Sequence, residues 1–282
     1  FGVDQVFVVW SELDKDPPSI TFTSEASAEV KFLKMTQNSL NTRFLPIDNL
    51  KSSSIFMVDD DVRVSCPSLF KGFQAWTANP ASLVGYYPRF AATNSKTTTM
   101  IRSAHNNADG NDHDTNTDGV QLTYHNWPEV FLQHKMNMIL TKASFLHRRY
   151  LDIYWDSSQH PKEVREYIDK SRNCEDIAMA MMVANYTAME NGAAPAAPIY
   201  VEGTITDKGL FNGISTGSGH MTKRSQCLTD LTKIYRDNGW SEPLTTIFSL
   251  RESSWVHHSP DYWWQYRPSN SFEWLALGNI FR

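Results

Sequence analysis

The feature that most limits what this chain can fold into is a five-residue apolar run, SIFMV at residues 54–58, that stops abruptly at Asp59, Asp60 and Asp61. A run of that length, rich in β-branched and aromatic side chains, suits a buried strand better than a helix. A second run, VFVVW at residues 6–10, stops in the same way at Ser11 and Glu12. Between them, residues 26–33 and 37–41 read as a short strand followed by a polar helix start. This spacing predicts βαβ units, with residues 6–10 and 54–58 as parallel strands of an α/β sheet. In open sheets of this kind ligands sit beyond the carboxyl ends of the strands, which is where the three aspartates fall.

Downstream, residues 67–76 carry helical spacing, with Leu69, Phe73 and Trp76 on one side and Pro67 in the first turn. Residues 83–88 and 130–140 read as strands, residues 143–154 as a helix or helical turn, and residues 161–169 as a short charged helix. Residues 177–183 form a strongly apolar helix containing Met179, Met181 and Met182. Glu175 and Asp176 therefore lie at a helix N-terminus, where the dipole favours negative charge. Residues 220–235 read as helical. The almost wholly polar stretch at 94–119 cannot bury enough surface to form an element and is expected to be a mobile loop. Four glycines between residues 209 and 219 mark another flexible loop, and His and aromatic residues crowd together at 255–264. With no internal repeat and no low-complexity linker, one domain spanning residues 1–282 is expected.

Composition removes some classes of function. A formal net charge of −5 with no sustained basic run excludes a nucleic-acid groove, which needs clustered Lys and Arg. No stretch approaches the roughly 20 apolar residues that cross a bilayer. The chain opens at Phe1, so any anchor or targeting signal is expected to lie outside this sequence. Many of the nine tryptophans sit among polar residues, a placing that suits sugar stacking as well as ordinary packing. Cys66, Cys174 and Cys227 allow one disulfide and one free thiol, and they lack the close pairing of a zinc site. Asn185, Tyr186 and Thr187 form a glycosylation sequon, which would serve as an acceptor in the secretory pathway.

Three adjacent carboxylates repel one another unless solvent or a cation compensates them. Hard divalent ions take oxygen ligands from carboxylates and substrate phosphates, so Mn²⁺ or Mg²⁺ could bridge this strand end to a diphosphate. A solvated acidic turn is the plain alternative. Glu175 and Asp176 serve either as a capping pair or as carboxylates aimed into the cleft, able to orient an acceptor hydroxyl or stabilise positive charge on a sugar carbon. Arg224 is either a solvated surface residue or a bidentate fork for a diphosphate leaving group. Cys174 and Cys227 bracket these candidates; a bond between them would tie the two segments together.

In this order the segments resemble the exostosin C-terminal glycosyltransferase family, which includes exostosin-like and plant relatives. The resemblance rests on VVW at residues 8–10, NSLNTRFLP at 38–46, FMVDDD at 56–61, VGYYPR at 84–89, CEDIAM at 174–179, VANYT at 183–187 and RSQCL at 224–228. It implies a GT-A fold, a Rossmann-like and mostly parallel central sheet flanked by helices. It also implies retaining transfer of a sugar from a nucleotide donor with Mn²⁺. The donor would be UDP-GlcNAc or UDP-GalNAc ahead of a GDP-sugar, and the acceptor a glycan or glycolipid. Carried over by position, Asp61 and Asp59 would hold the metal, Asn38, Arg43, Asp59, Asp60 and Glu175 the nucleotide sugar. Asp176 would lie beneath the reacting sugar, Arg224 would steady the diphosphate, and Cys174 and Cys227 match a family disulfide. A lumenal Golgi or ER enzyme is implied, membrane-anchored as a type II protein in its full form and able to form homo- or hetero-oligomers. Residues 236–282 match poorly and are expected to be a divergent C-terminal extension. Remaining alternatives are a GDP-mannose-dependent mannosyltransferase, an inactive sugar-nucleotide-binding partner subunit, and a phosphate-ester or nucleotide-diphosphate hydrolase.

Overall fold

The run ahead of the three aspartates is a strand, but its hydrogen-bonded neighbour is antiparallel. The computed structural model describes residues 2–19, 28–93, 121–192, 194–209, 219–244 and 246–249. Strand β1 (Gln5–Trp10) pairs in parallel with β2 (Glu29–Lys34), and a 3-10 turn follows at Leu40–Phe44. Then come β3 (Ser54–Val58), β4 (Val62–Val64), helix α1 (Cys66–Ala78), β5 (Val84–Gly85) and β6 (Pro88–Thr93). Next are β7 (Leu122–His125), α2 (Trp127–Gln133), β8 (Lys135–Met136), β9 (Met138–Ile139), β10 (Ala143–His147) and α3 (Arg149–Trp155). The last are α4 (Lys162–Ser171), α5 (Glu175–Asn191), β11 (Ile199–Tyr200), β12 (Ile205–Asp207), α6 (His220–Asp237) and β13 (Phe248–Ser249).

The largest sheet runs β11-β5-β10-β3. Its centre, β10, is antiparallel to both β3 and β5, and within this sheet only the β5–β11 pair is parallel. The fold is therefore mixed α/β with several sheets: among the described residues the runs at 6–10 and 54–58 lie in different sheets, and the expected mostly parallel central sheet is not seen. Two segments also differ from the sequence expectation. Residues 143–147 are a strand because both edges of ASFLH find ladder partners, which outweighs their weak local preference. Val130 to Gln133 complete helix α2, which starts at a proline in its first turn and stops at His134 in a left-handed conformation.

Strands β5, β10 and β11 of this sheet are buried, whereas the edge strand β3 is half-buried. Val84, Ala143 and Phe145 pack with Val62, Trp76, Tyr86, Ile199 and Val201 on the α1 side. Leu146 joins the larger cluster around α5 on the other. The first half of α5, from Asp176 to Val183, is buried all round, which makes it a central rather than a surface helix. Burial of each such Ile or Met contributes about 1.5–3 kcal/mol. Gly85 is obligatory at the crossing: a Cβ there would stand 2.5 Å from the Ala143 carbonyl oxygen. Helix α6 buries Arg224, Cys227, Leu228, Leu231 and Tyr235, one stripe at helical spacing.

Among the described residues no helix is long and apolar enough to cross a membrane. The segment after α6 packs back onto the fold: Leu244 is buried, its carbonyl accepts from Asn137 Nδ2 at 3.1 Å, and β13 pairs with β8. The polar stretch at 94–119, the glycine-rich residues 210–218 and the tail from residue 250 lie outside the described residues. The sequon is not an accessible acceptor. Asn185 is 3% exposed in the middle of α5, its Oδ1 accepts from Ser241, and the Thr187 hydroxyl donates to the Val183 carbonyl at 2.6 Å.

Candidate active site

The segment NSLNTRF is fastened before it reaches the site. Ser39 caps the 3-10 turn by accepting the Asn41 N–H at 3.1 Å and donates its own hydroxyl to Asp169. The Asn41 amide donates to Asp169 Oδ1 at 2.9 Å and to the Arg165 carbonyl at 3.0 Å, and its oxygen accepts the Tyr154 hydroxyl at 2.6 Å. Every polar atom of that buried Asn41 side chain is thus engaged with α3 or α4, which leaves Arg43, two residues on, with a fixed direction.

Arg43 spans two acidic elements. Its Nη2 donates to Asp59 Oδ1 at 2.6 Å and to the Thr141 carbonyl at 3.3 Å, while Nη1 donates to Glu175 Oε1 at 3.1 Å. One guanidinium fork therefore joins the end of β3 to the start of α5. Burial works against the arginine's charge, yet Asp59 and Glu175 hold its pKa above the ordinary value. Glu175 is held above the usual carboxyl range by burial first and by the adjacent Asp176, against the pull of Arg43.

Asp176 and Arg224 form a second, deeper pair. Arg224 Nη2 donates to both Asp176 oxygens, at 2.6 and 2.7 Å, and the guanidinium lies 4.8 Å over the Tyr124 ring. Asp176 is 7% and Arg224 6% exposed. Burial opposes ionisation of Asp176, but the Arg224 charge and hydrogen bonds, with the Ile177 N–H, more than offset it and hold the carboxyl below its usual range. The Cys174–Cys227 disulfide crosses between the same two helices, as the resemblance implied, and Cys66 is a free, exposed thiol.

The three aspartates at the end of β3 part company. Asp59 belongs to Arg43; Asp60 is exposed; Asp61 lies beside Lys142, with Lys142 Nζ 3.6 Å from its Oδ2. Asp61 Oδ1 is buried and has no hydrogen-bond partner. Its pKa is raised by burial first, against the pull of Lys142 and with the push of Asp207. Asn38 stands apart from the Arg43 cluster: it is exposed, and Arg172 donates to its backbone carbonyl and, at 3.0 Å, to its Oδ1. Sequence reasoning missed Lys142, Asp207 and Tyr124. Their only signal was position: Lys142 precedes a strand, and Asp207 ends one two residues before a glycine. Among the described residues, no three His, Cys, Asp or Glu side chains gather as a metal site.

Fold and site together define a mixed α/β protein with a half-buried arginine–carboxylate bridge at the end of strand β3 and a buried arginine–carboxylate pair at the start of helix α5. The chain belongs to the glycosyl transferase family 64 domain family, whose profile matches residues 2–246. It is 33% identical over 238 residues to glycosylinositol phosphorylceramide mannosyl transferase 1 of Arabidopsis thaliana, covering 80% of this chain and 62% of that protein. It is 30% identical over 263 residues to glucosamine inositolphosphorylceramide transferase 1 of the same plant, covering 90% of this chain and 29% of that protein. To human exostosin-2 it is 24% identical over 235 residues, covering 83% of this chain and 28% of that protein. The chain thus spans less than two thirds of the length of these relatives.

Proposed function

We propose that this chain is a metal-assisted, retaining glycosyltransferase of GT-A type that moves a sugar from a nucleotide-sugar donor to a hydroxyl of a glycan or glycolipid. The single observation that carries this reading is Asp176, kept ionised in a nearly dry site by Arg224 and placed one residue from the Glu175–Arg43–Asp59 bridge. A fixed negative charge in a water-excluded site stabilises an oxocarbenium-like sugar carbon better than solvent does.

In the step itself the bond from the anomeric carbon to the diphosphate oxygen breaks, and a bond to the acceptor oxygen forms on the same face. The acceptor proton passes to the departing diphosphate. Asp176 faces the positive charge that develops between these events, and Arg224, held against Tyr124, keeps that carboxylate oriented and adds positive charge for the diphosphate. Arg43 and Glu175 set the relative position of β3 and α5; with Asp60 and Asn38 they are the groups we assign to the nucleotide sugar.

Mn²⁺ or Mg²⁺ fits this site through Asp61. One oxygen of that carboxylate is buried without a partner, and Asp59, though matched by Arg43, ends the same strand. Two carboxylates are few for a protein-only cage but normal for a cation that completes its shell with substrate phosphates. When bound, the ion supplies positive charge to a diphosphate leaving group.

The Arabidopsis relative of 33% identity is named for mannosyl transfer, which favours GDP-mannose as donor; the glucosamine transferase and the exostosin resemblance favour UDP-N-acetylhexosamines. Both plant names contain an inositolphosphorylceramide, so that headgroup is the acceptor to test first. The buried Cys174–Cys227 bond supports a lumenal, oxidising location such as the Golgi or ER, with a membrane anchor in the full protein. Thermal-shift screening of UDP- and GDP-sugars with and without Mn²⁺, followed by transfer assays, tests the reading. A donor that stabilises only with Mn²⁺, and transfer that chelation abolishes and Mn²⁺ restores, are expected. Donor binding without transfer to any acceptor would identify a binding subunit, and donor hydrolysis alone a hydrolase.

A further inference from the structure

Lys142 stands directly across the sheet end from the aspartates. Its backbone carbonyl accepts the Asp59 N–H at 3.0 Å, closing the β3–β10 ladder. Its side chain turns to Asp207, with Nζ 3.0 Å from Oδ1 and 2.9 Å from Oδ2, and lies 3.6 Å from Asp61 Oδ2. Asp207 is 5% exposed and also accepts the Tyr87 hydroxyl at 3.0 Å and the Gly209 N–H at 3.1 Å. The backbone closes over this group. The Lys208 N–H donates to the Asp61 carbonyl at 2.9 Å, and a Cβ on Gly209 would stand 1.7 Å from Asp61 Oδ2. One ammonium is therefore shared by two carboxylates, Asp61 from the turn between β3 and β4 and Asp207 from the end of β12, and of these only the far oxygen of Asp61 is left without a partner.

We propose that Lys142 is a resident cation that has already neutralised much of the Asp61–Asp207 pair, so that the protein holds a divalent ion tightly only when a diphosphate comes with it. The part that names a diphosphate rests on the glycosyltransferase reading; the competition between ammonium and free ion stands on the geometry alone. Two carboxylates and one ammonium leave a net charge of −1, and a hard divalent cation seeking six oxygens finds no cluster of three protein ligands among the described residues, Asp59 being engaged by Arg43. The ammonium, 3.6 Å from Asp61, repels any ion that approaches the same carboxylate. A diphosphate reverses both deficits, because its oxygens complete the coordination shell and its charge offsets the lysine. Lys142 acts through Asp61 and is a positioning residue: it makes the ion and the nucleotide arrive together.

The experiment is calorimetric titration of MnCl₂ into the folded chain, alone and with UDP or GDP present, for the wild type, Lys142→Met, Lys142→Arg, Asp207→Asn and the Lys142→Met/Asp207→Asn pair. Wild type is expected to bind Mn²⁺ weakly alone and much more tightly with nucleotide. Lys142→Met should bind Mn²⁺ alone about tenfold tighter or more, and the gain from nucleotide should shrink by the same factor. Lys142→Arg keeps the charge and should behave as wild type; adding Asp207→Asn to Lys142→Met should remove the gain. A purely structural lysine would never yield tighter metal binding when deleted. Unchanged or weaker Mn²⁺ binding by Lys142→Met overturns the proposal. If that variant does not fold, Asp207→Asn decides: it leaves the ammonium to Asp61 alone, so Mn²⁺ binding should weaken severalfold, and an unaltered affinity overturns it. A wild type whose Mn²⁺ affinity ignores both nucleotides, beside a Lys142→Met gain, would defeat the metal-assisted transfer reading while leaving the competition intact.

Discussion

The Arg224 guanidinium meets both oxygens of Asp176 from a single nitrogen, at 2.6 and 2.7 Å, with its face against Tyr124. Because this pair is sealed from water, removing one partner leaves the other's charge buried without compensation. Asp176→Asn should therefore cost about 3–5 kcal/mol of stability, measured by denaturant melts at neutral pH. Turnover should fall by about 10²–10³-fold with donor affinity nearly unchanged, because the lost charge acts on the transition state rather than on the bound donor. Wild-type turnover by a folded Asp176→Asn protein would remove Asp176 from the site.

Arg43 uses different nitrogens for its two carboxylates, Nη2 for Asp59 and Nη1 for Glu175. A lysine has one ammonium and cannot reproduce that fork. Arg43→Lys is expected to lose one bridge, destabilise the chain by about 1–3 kcal/mol, and weaken donor binding while Mn²⁺ binding without donor changes little. Melts and donor titrations that match wild type would show that the bridge between β3 and α5 is dispensable.

The disulfide closes a loop across 53 residues and is buried at both ends. In the chain-entropy account such a loop contributes about 4 kcal/mol. Cys227→Ser should lower stability by an amount of that order and, because Cys174 is the N-cap of α5 and Cys227 lies three residues after Arg224, should lower turnover more than donor binding. Urea melts and steady-state kinetics on the same preparation check both parts; equal loss in both kinetic terms would argue for a general loosening instead.

What was legible in the sequence was local. The strand at 54–58, α1, α4, α5 and α6 follow from apolar spacing within a dozen residues, and Glu175 with Asp176 could be placed at a helix start from that spacing alone. The pairing was not. Residues 143–147 carry one aromatic and no β-branched residue, so nothing nearby says that they sit between two antiparallel partners. The same holds for the site's far contacts: Lys142 meets Asp207 across 65 residues and Arg172 meets Asn38 across 134. Three adjacent aspartates suggested one shared task, whereas a strand end followed by a turn sends neighbouring side chains to different partners.

His160 supplies a pH-dependent test of the core that supports the Arg43 segment. The ring is fully buried between Tyr154, at 4.8 Å, and Tyr235, at 5.8 Å. A carbonyl can only accept, so the 3.0 Å contact to the Tyr154 carbonyl puts the proton on Nδ1, and Nε2 is left without a partner. Protonating Nε2 would bury a charge, and burial together with nearby Arg165 brings the histidine down to about 4 from an ordinary 6.5, against the help of the Tyr154 carbonyl. The unfolded chain then binds the proton first, so this contribution is fully present above pH 6.5 and is lost as pH falls from there toward 4. The loss approaches roughly 3 kcal/mol at the lower end. Glu175, raised by burial, acts in the opposite sense above its ordinary value, so the histidine must be isolated by difference. Urea melts of wild type and His160→Phe between pH 7 and pH 4 should converge as the pH falls, with the variant less stable at pH 7 for lack of the Tyr154 hydrogen bond. Parallel pH profiles for the two proteins would show that His160 does not resist protonation.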